Sequence, residues 1–165
     1  MITLYRRDPE QGWSYREAWY DSAAGEFVVH HGVVGTNGTV TAEQVTEQDA
    51  DPLMEGFLAR CAEDGYAAPT DEQLRTLRLA LPLRGPTPIA SERRNAESVH
   101  QAVLVQLAWR GLGALSDPEA VSEDDGRHAL VMEARTVHRA KAQQAARAAL
   151  RGSDVPASKV DITVR

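Results

Sequence analysis

His31-Gly32-Val33-Val34-Gly35-Thr36-Asn37-Gly38 reads as the end of one strand and the turn into the next. Asn37-Gly38 signals a type I′ turn, in which both central residues take positive φ. Upstream, apolar and polar residues alternate over residues 14–21 and 27–34, with Ser22-Ala23-Ala24-Gly25 between them. That is the pattern of a β-hairpin. Downstream, residues 39–45 supply a third strand, and a helix follows. Asp51 is placed to cap it with Pro52 at its first position, Leu53, Met54, Phe57, Leu58 and Cys61 form an apolar stripe, and Gly65 ends it. The stripe needs a sheet face to bury against, so an antiparallel sheet with a covering helix is expected.

Beyond this unit, Ala67-Ala68-Pro69-Thr70-Asp71 combines a proline with capping residues and reads as a junction, dividing the chain into residues 1–68 and 74–165. Leu77, Leu79, Leu81 and Leu83 then alternate with Arg78, Ala80, Pro82 and Arg84, a strand with one buried face. Pro82 belongs at a strand end or on an edge. Ser91 is placed to cap a helix running to about Arg110, with Ala96, Val99, Val103 and Leu107 on one stripe and Gly111 after it. A polar loop carrying Asp117, Glu119, Glu123, Asp124 and Asp125 leads to a strand through Leu130, Met132 and Ala134. Helix-favouring residues from about His138 to Leu150 and a final strand through Val160, Ile162 and Val164 complete the chain. With a weak strand at residues 112–115 the order is β-α-β-β-α-β. The expected fold class is α+β: an N-terminal antiparallel sheet with a covering helix, and a C-terminal ferredoxin-like two-layer α/β sandwich.

Composition sets outer bounds. The 165 residues are 42% hydrophobic, enough to build a core. No apolar run approaches the roughly 20 residues of a membrane span, and Arg6, Arg7 and Asp8 interrupt the N-terminus too early for a secretory signal. Cys61 is the one cysteine and has no partner for an intrachain disulfide. A cytoplasmic protein without membrane contact is expected. The formal net charge of −6 is unevenly spread: residues 1–70 carry Arg6, Arg7, Arg16 and Arg60 against twelve acidic residues, whereas the remainder has 14 basic and 12 acidic residues. Phosphate binding draws its affinity from a positive field, so the acidic first half disfavours nucleic acid.

Residues 15–66, about a third of the chain, carry four pieces in order: Tyr15-Arg16-Glu17-Ala18-Trp19-Tyr20, His31-Gly32-Val33, Gly35-Thr36-Asn37-Gly38 and Asp64-Gly65-Tyr66. In this layout the stretch resembles a WGR domain, whose pattern is an aromatic-bearing strand, a strand ending in Trp-Gly-Arg, an apolar residue, Gly-Thr-x-Gly, a third strand, and a helix closing on Gly-Tyr. The family's tryptophan falls on His31 and its arginine on Val33. The resemblance implies a role in nucleic-acid binding or in relaying contacts between domains, as in poly(ADP-ribose) polymerases and bacterial proteins of unclear role. The two substitutions remove the side chains the family associates with DNA contact.

His30 and His31, adjacent on a strand, point to opposite faces and cannot share a metal ion. His31 and Val33 share a face with Phe27 and Val29, and with Arg16 and Asn37 they make the candidate interaction surface. Gly35-Thr36-Asn37-Gly38 lacks the Lys-Ser/Thr ending of a phosphate loop and leads into a strand. The five-acid loop lacks the spacing and glycine of an EF-hand, and Trp109 reads as an anchor between helix and sheet. No nucleophile motif, His-x-x-x-His or paired cysteine spacing occurs, so no catalytic residue, metal or cofactor is expected. His31 and His138 are eligible as acid or base only through histidine's ordinary chemistry. The reading is a non-enzymatic bacterial interaction module with a protein partner. The alternative is a nucleic-acid-binding protein that uses other basic residues, with Arg93, Arg94, Arg139, Lys141 and Arg147 on phosphate.

Overall fold

The computed structural model describes residues 1–123 and 125–165. It has an α+β fold with two antiparallel four-stranded sheets and three helices. The first sheet is a meander of β1 (Ile2–Asp8), β2 (Gly12–Asp21), β3 (Glu26–Val33) and β4 (Thr39–Gln44), in that spatial order. Asp21 shapes the β2–β3 turn, its Oδ1 accepting the N–H groups of Ala23 and Ala24 at 3.0 and 3.2 Å. β1 pairs with β2 over its whole length, from Ile2 opposite Ala18 to Asp8 opposite Gly12. The sequence pattern is silent on this strand because Leu4 and Tyr5 are adjacent and break the alternation.

The turn between β3 and β4 differs from the type I′ expectation. It spans residues 34–38, Asn37 keeps a negative φ, and the left-handed positions are Gly35 and Gly38, at φ 92° and 64°. Gly38 is required there, since a Cβ would run into the His31 carbonyl oxygen and the Tyr15 hydroxyl. The longer loop lets Val34 leave the sheet and bury in the core of the second half.

Helix α1 (Glu47–Glu63) starts a turn earlier than Asp51, after an extended Thr46 whose hydroxyl donates to the Asp49 carboxylate at 2.6 Å. Pro52 therefore lies inside the helix and removes the hydrogen bond to the Gln48 carbonyl. Gln48 is exposed, so water serves that carbonyl at little cost. At the other end Tyr66 N–H donates to the Cys61 carbonyl at 2.8 Å and Gly65 N–H to that of Ala62 at 3.0 Å. This is the Schellman arrangement that a left-handed glycine permits. α1 covers one face of the sheet through a core of Ala18, Phe27, Phe57, Cys61 and Tyr66.

The second sheet contains β5 (Arg75–Pro82), β6 (Glu119–Ser122), β7 (His128–Thr136) and β8 (Asp161–Val164), ordered β6-β7-β5-β8. Pro82 is the last residue of its strand. Helices α2 (Ala90–Ala108) and α3 (Arg139–Leu150) cover one face, meeting Leu77, Leu79, Leu81, Leu130 and Met132. Ser91 is not the cap of α2. The helix follows an extended Ile89, and the Glu92 carboxylate accepts the N–H groups of Ile89 and Arg84 at 2.9 and 3.2 Å. The weak strand expected at residues 112–115 reduces to one bridge, Leu115 with Ala134. The fourth strand is instead β6, within the acidic segment. An edge strand held by backbone pairing needs few apolar side chains, and β6 offers only Ala120 and Val121. Of the acids around it, Glu123 bonds Arg78 at 2.5 Å and Asp125 bonds Arg127 at 2.7 Å, while Asp124 lies outside the described residues. Among the described residues no helix is long and apolar enough to cross a membrane.

Tyr5, Tyr15 and Val34 belong to the same buried cluster as the α2–α3 core. The first sheet is thus covered on both faces, by α1 on one and by the second half on the other. Gly35 N–H donates to the Arg110 carbonyl at 2.8 Å, and Lys141 Nζ donates to the Val34 carbonyl at 2.6 Å. Tyr15 lies against Gly111, whose φ is 59° and whose missing side chain leaves the room the ring occupies. Gly111→Ala is expected to cost about 3 kcal/mol, combining left-handed strain with overpacking. Urea unfolding followed by tryptophan fluorescence and far-UV circular dichroism measures it. A loss below about 0.5 kcal/mol, the range of ordinary surface changes, would show that the contact is unimportant.

Candidate functional site

Alternation along β3 separates two environments. Phe27, Val29, His31 and Val33 face α1, whereas Val28 and His30 face the second half. In the β2–β3 register Arg16 lies opposite His31, and Glu17 lies opposite His30. Each pair shares a face.

On the α1 side, Arg16 and His31 line a groove of about 640 Å³ between the helix and strands β2 to β4. Its floor is apolar, from Phe27, Val29, Leu53 and Phe57, with the buried Cys61 beneath. Its rim has mixed charge, with Arg16 and Arg60 against Glu43 and Asp64, and His31 beside them. Arg16 is held there by Asp64 at 2.5 Å and stacks 4.3 Å over the Tyr66 ring. Of the four residues expected to form an interaction surface, these two come together. Val33 is on the same face and 39% exposed, but does not line the groove. Asn37 lies in the loop, its carbonyl turned to His30 on the opposite face.

On that opposite face is a polar network the sequence reading missed. His30 Nδ1 meets Glu17 Oε2 at 2.9 Å, and the other Glu17 oxygen accepts the Thr3 hydroxyl at 3.0 Å. His30 Nε2 lies 2.8 Å from the Tyr15 hydroxyl and 2.7 Å from the Asn37 carbonyl, so its protonation decides which it engages. Trp109 closes the network edge-on, with ring centroids 5.1 Å apart. Tyr15 is fully buried, and His30 and Glu17 are 2% and 6% exposed. Burial, with an added push from the Glu17 carboxylate, raises the Tyr15 phenol to about 12. The group stays a protonated donor through the neutral range. Chemically the arrangement is a Glu-His-Tyr relay, but it is sealed in the interior and anchors the β3–β4 turn. The signal in sequence was parity: Tyr15 and Glu17 share a face, and only cover on both sides of the sheet makes that acid an interior residue. Trp109 packs across the two halves and remains 45% exposed, instead of lying between helix and sheet.

The basic candidates are dispersed. Arg93 and Arg94 are exposed near the start of α2, and Arg139 and Arg147 are exposed on α3. Lys141 is engaged with the Val34 carbonyl, its side chain running beside Gly35. His138 precedes α3, and burial, with Lys141 nearby, pushes its pKa down. Among the described residues no group of three or more His, Cys, Asp or Glu is placed to hold a metal ion.

Removing Glu17 leaves His30 buried without its partner, so Glu17→Ala is expected to cost about 3 kcal/mol in chemical unfolding. The phenol adds a pH signature. A group whose pKa is raised by folding contributes stability below its unfolded value, here 10, and loses it as pH rises toward about 12. Stability is therefore expected to fall across that window, and less steeply in Tyr15→Phe. Equal slopes in the two proteins would contradict the assignment.

Comparison of the chain with family models, curated proteins and solved structures returns no match.

Proposed function

We propose that the chain is a non-enzymatic protein-interaction module, with residues 1–68 a WGR-like unit and residues 74–165 a ferredoxin-like sandwich. The meander, the glycine-bearing β3–β4 turn and the helix closing on Gly65-Tyr66 support the first identity. The strand order β6-β7-β5-β8 with two helices on one face supports the second.

The observation that carries the functional reading is the groove beside α1. An apolar floor with a rim of both charge signs suits side chains of a protein segment, because buried apolar contacts supply affinity and rim charges set register. A phosphate backbone asks for a field of one sign. The positive candidates for such a field, Arg93, Arg94, Arg139 and Arg147, are spread over two helices, and the first half is acidic. The Tyr15-His30-Glu17 relay does not support a catalytic reading, because substrate has no access to buried atoms.

The test pairs affinity purification of the full chain from its own cells with fluorescence anisotropy on intact and nicked duplex DNA. A protein partner is expected to co-purify with the wild type, and to be reduced roughly tenfold by His31→Glu or Arg60→Glu, substitutions at the groove. Duplex binding is expected to be weak and to vanish with added salt. Submicromolar duplex affinity near physiological salt, with partner recovery indifferent to the groove substitutions, would overturn the reading in favour of nucleic acid.

A further inference from the structure

A strand that ends a sheet exposes a row of backbone N–H and C=O groups. Proteins blunt such edges by covering them, keeping them short, or placing lysine, proline or a bulge on them. Three of the four edges here are managed. β1 is interrupted at its middle by Ala67, which exchanges two hydrogen bonds with Tyr5, at 2.8 and 2.9 Å. β6 and β8 are each four residues long. β4 has no such protection. Its six residues, Thr39-Val40-Thr41-Ala42-Glu43-Gln44, are all exposed and include no lysine or proline, and their pairing with β3 runs without a bulge.

The ladder defines which groups face outward. Antiparallel pairs alternate between those that exchange hydrogen bonds and those that do not. Val45 N–H donates to the Gly25 carbonyl at 2.9 Å, one step beyond the Glu26–Gln44 pair. By alternation Thr39, Thr41 and Glu43 turn their backbone groups toward β3, and Val40, Ala42 and Gln44 turn theirs outward. The side chains of these three lie on the His30 face. There Val40, opposite His30, is 41% exposed.

We infer that a second copy of this chain adds at β4, the two β4 strands pairing antiparallel about a two-fold axis through Ala42 and joining the first sheets of both copies into one. This register pairs outward-facing groups with each other: Ala42 with its counterpart, and Val40 with the Gln44 counterpart. Thr41 then lies opposite the Glu43 counterpart, so no like charges face each other; a shift by one pair in one direction would set Glu43 against itself, and in the other would leave Gln44 opposite Gly38, outside the strand. The acids that follow the strand, Glu47, Asp49 and Asp51, lie beyond one end of it. Antiparallel pairing sends the two acidic runs to opposite ends of the joint, so an otherwise acidic half is compatible with its own copy. The inference uses the sheet edge, goes beyond the groove reading and stands without it.

Sedimentation velocity of the full chain, from low micromolar to submillimolar concentration, reads the stoichiometry, and amide exchange reads the surface. The wild type is expected to dimerise, with the amides of Val40, Ala42 and Gln44 gaining protection as dimer forms. Ala42→Pro removes an outward N–H that makes no bond within the chain, at an edge position where proline is tolerated. Ala42→Lys sets two like charges across the axis. Each is expected to raise the dissociation constant roughly tenfold or more with unchanged circular dichroism. If the proline variant unfolds, the lysine variant decides. A wild type that stays monomeric throughout, a dimer in which those three amides exchange as in dilute protein, or a dimer indifferent to Ala42→Lys each overturns the inference. Recovery of a different protein in the groove, with the wild type monomeric, overturns it while leaving the proposed function standing.

Discussion

The burial of Tyr15 is the constraint on which the rest of the structure depends. Its ring leaves the first sheet on the side away from α1 and enters the cluster that also holds Leu107, Leu112 and Val34. An antiparallel sheet commonly leaves one face in water. Here that face is occupied, and β1 to β4 become a layer between α1 and the second half. The small residues at the crossing follow from this. Gly111 makes room for the ring, and Gly38 makes room for the hydroxyl.

A layer covered on both sides has to dispose of its polar groups. The Tyr15 hydroxyl, the His30 imidazole and the Glu17 carboxylate would each be costly to bury alone. Together, with Thr3 and the Asn37 carbonyl, they form a connected set. The set ties β2 and β3 to the loop that follows, so the loop's conformation is specified by interior hydrogen bonds. This explains why the turn departs from a simple two-residue hairpin although Asn37-Gly38 has the local chemistry for one. A tertiary demand on the Asn37 carbonyl outweighs the local preference.

Most regular elements were legible because their side chains repeat with the period of the element. Leu77, Leu79 and Leu81 announce β5, and Val99, Val103 and Leu107 announce α2. β1 and β6 were not legible, since neither alternates: Leu4 and Tyr5 adjoin in β1, and Ala120 and Val121 adjoin as the apolar residues of β6. The start of α1 was misplaced because Pro52 is favoured at a first turn, yet an exposed carbonyl at Gln48 lets it sit deeper in the helix. At the site, the pairing of Arg16 with His31 follows from strand parity and the hairpin register. The role of Glu17 does not, because it requires knowing that a distant segment covers that face. Lys141 shows the same limit: its charge suggests a phosphate ligand, and its position makes it a donor to Val34.

The reach of that donor bears on how the chain is made. Lys141 and Val34 are 107 residues apart. At the usual elongation rate of about 5–20 residues per second, roughly 5–20 s separate their synthesis. During that interval the first sheet can form with α1, yet the side bearing Tyr15 and Val34 has nothing to pack on. The nascent chain therefore carries an unfinished apolar surface until α2 and α3 emerge. Such long-range closure is slow in folding terms, and until it happens the uncovered face of the first sheet is open to aggregation.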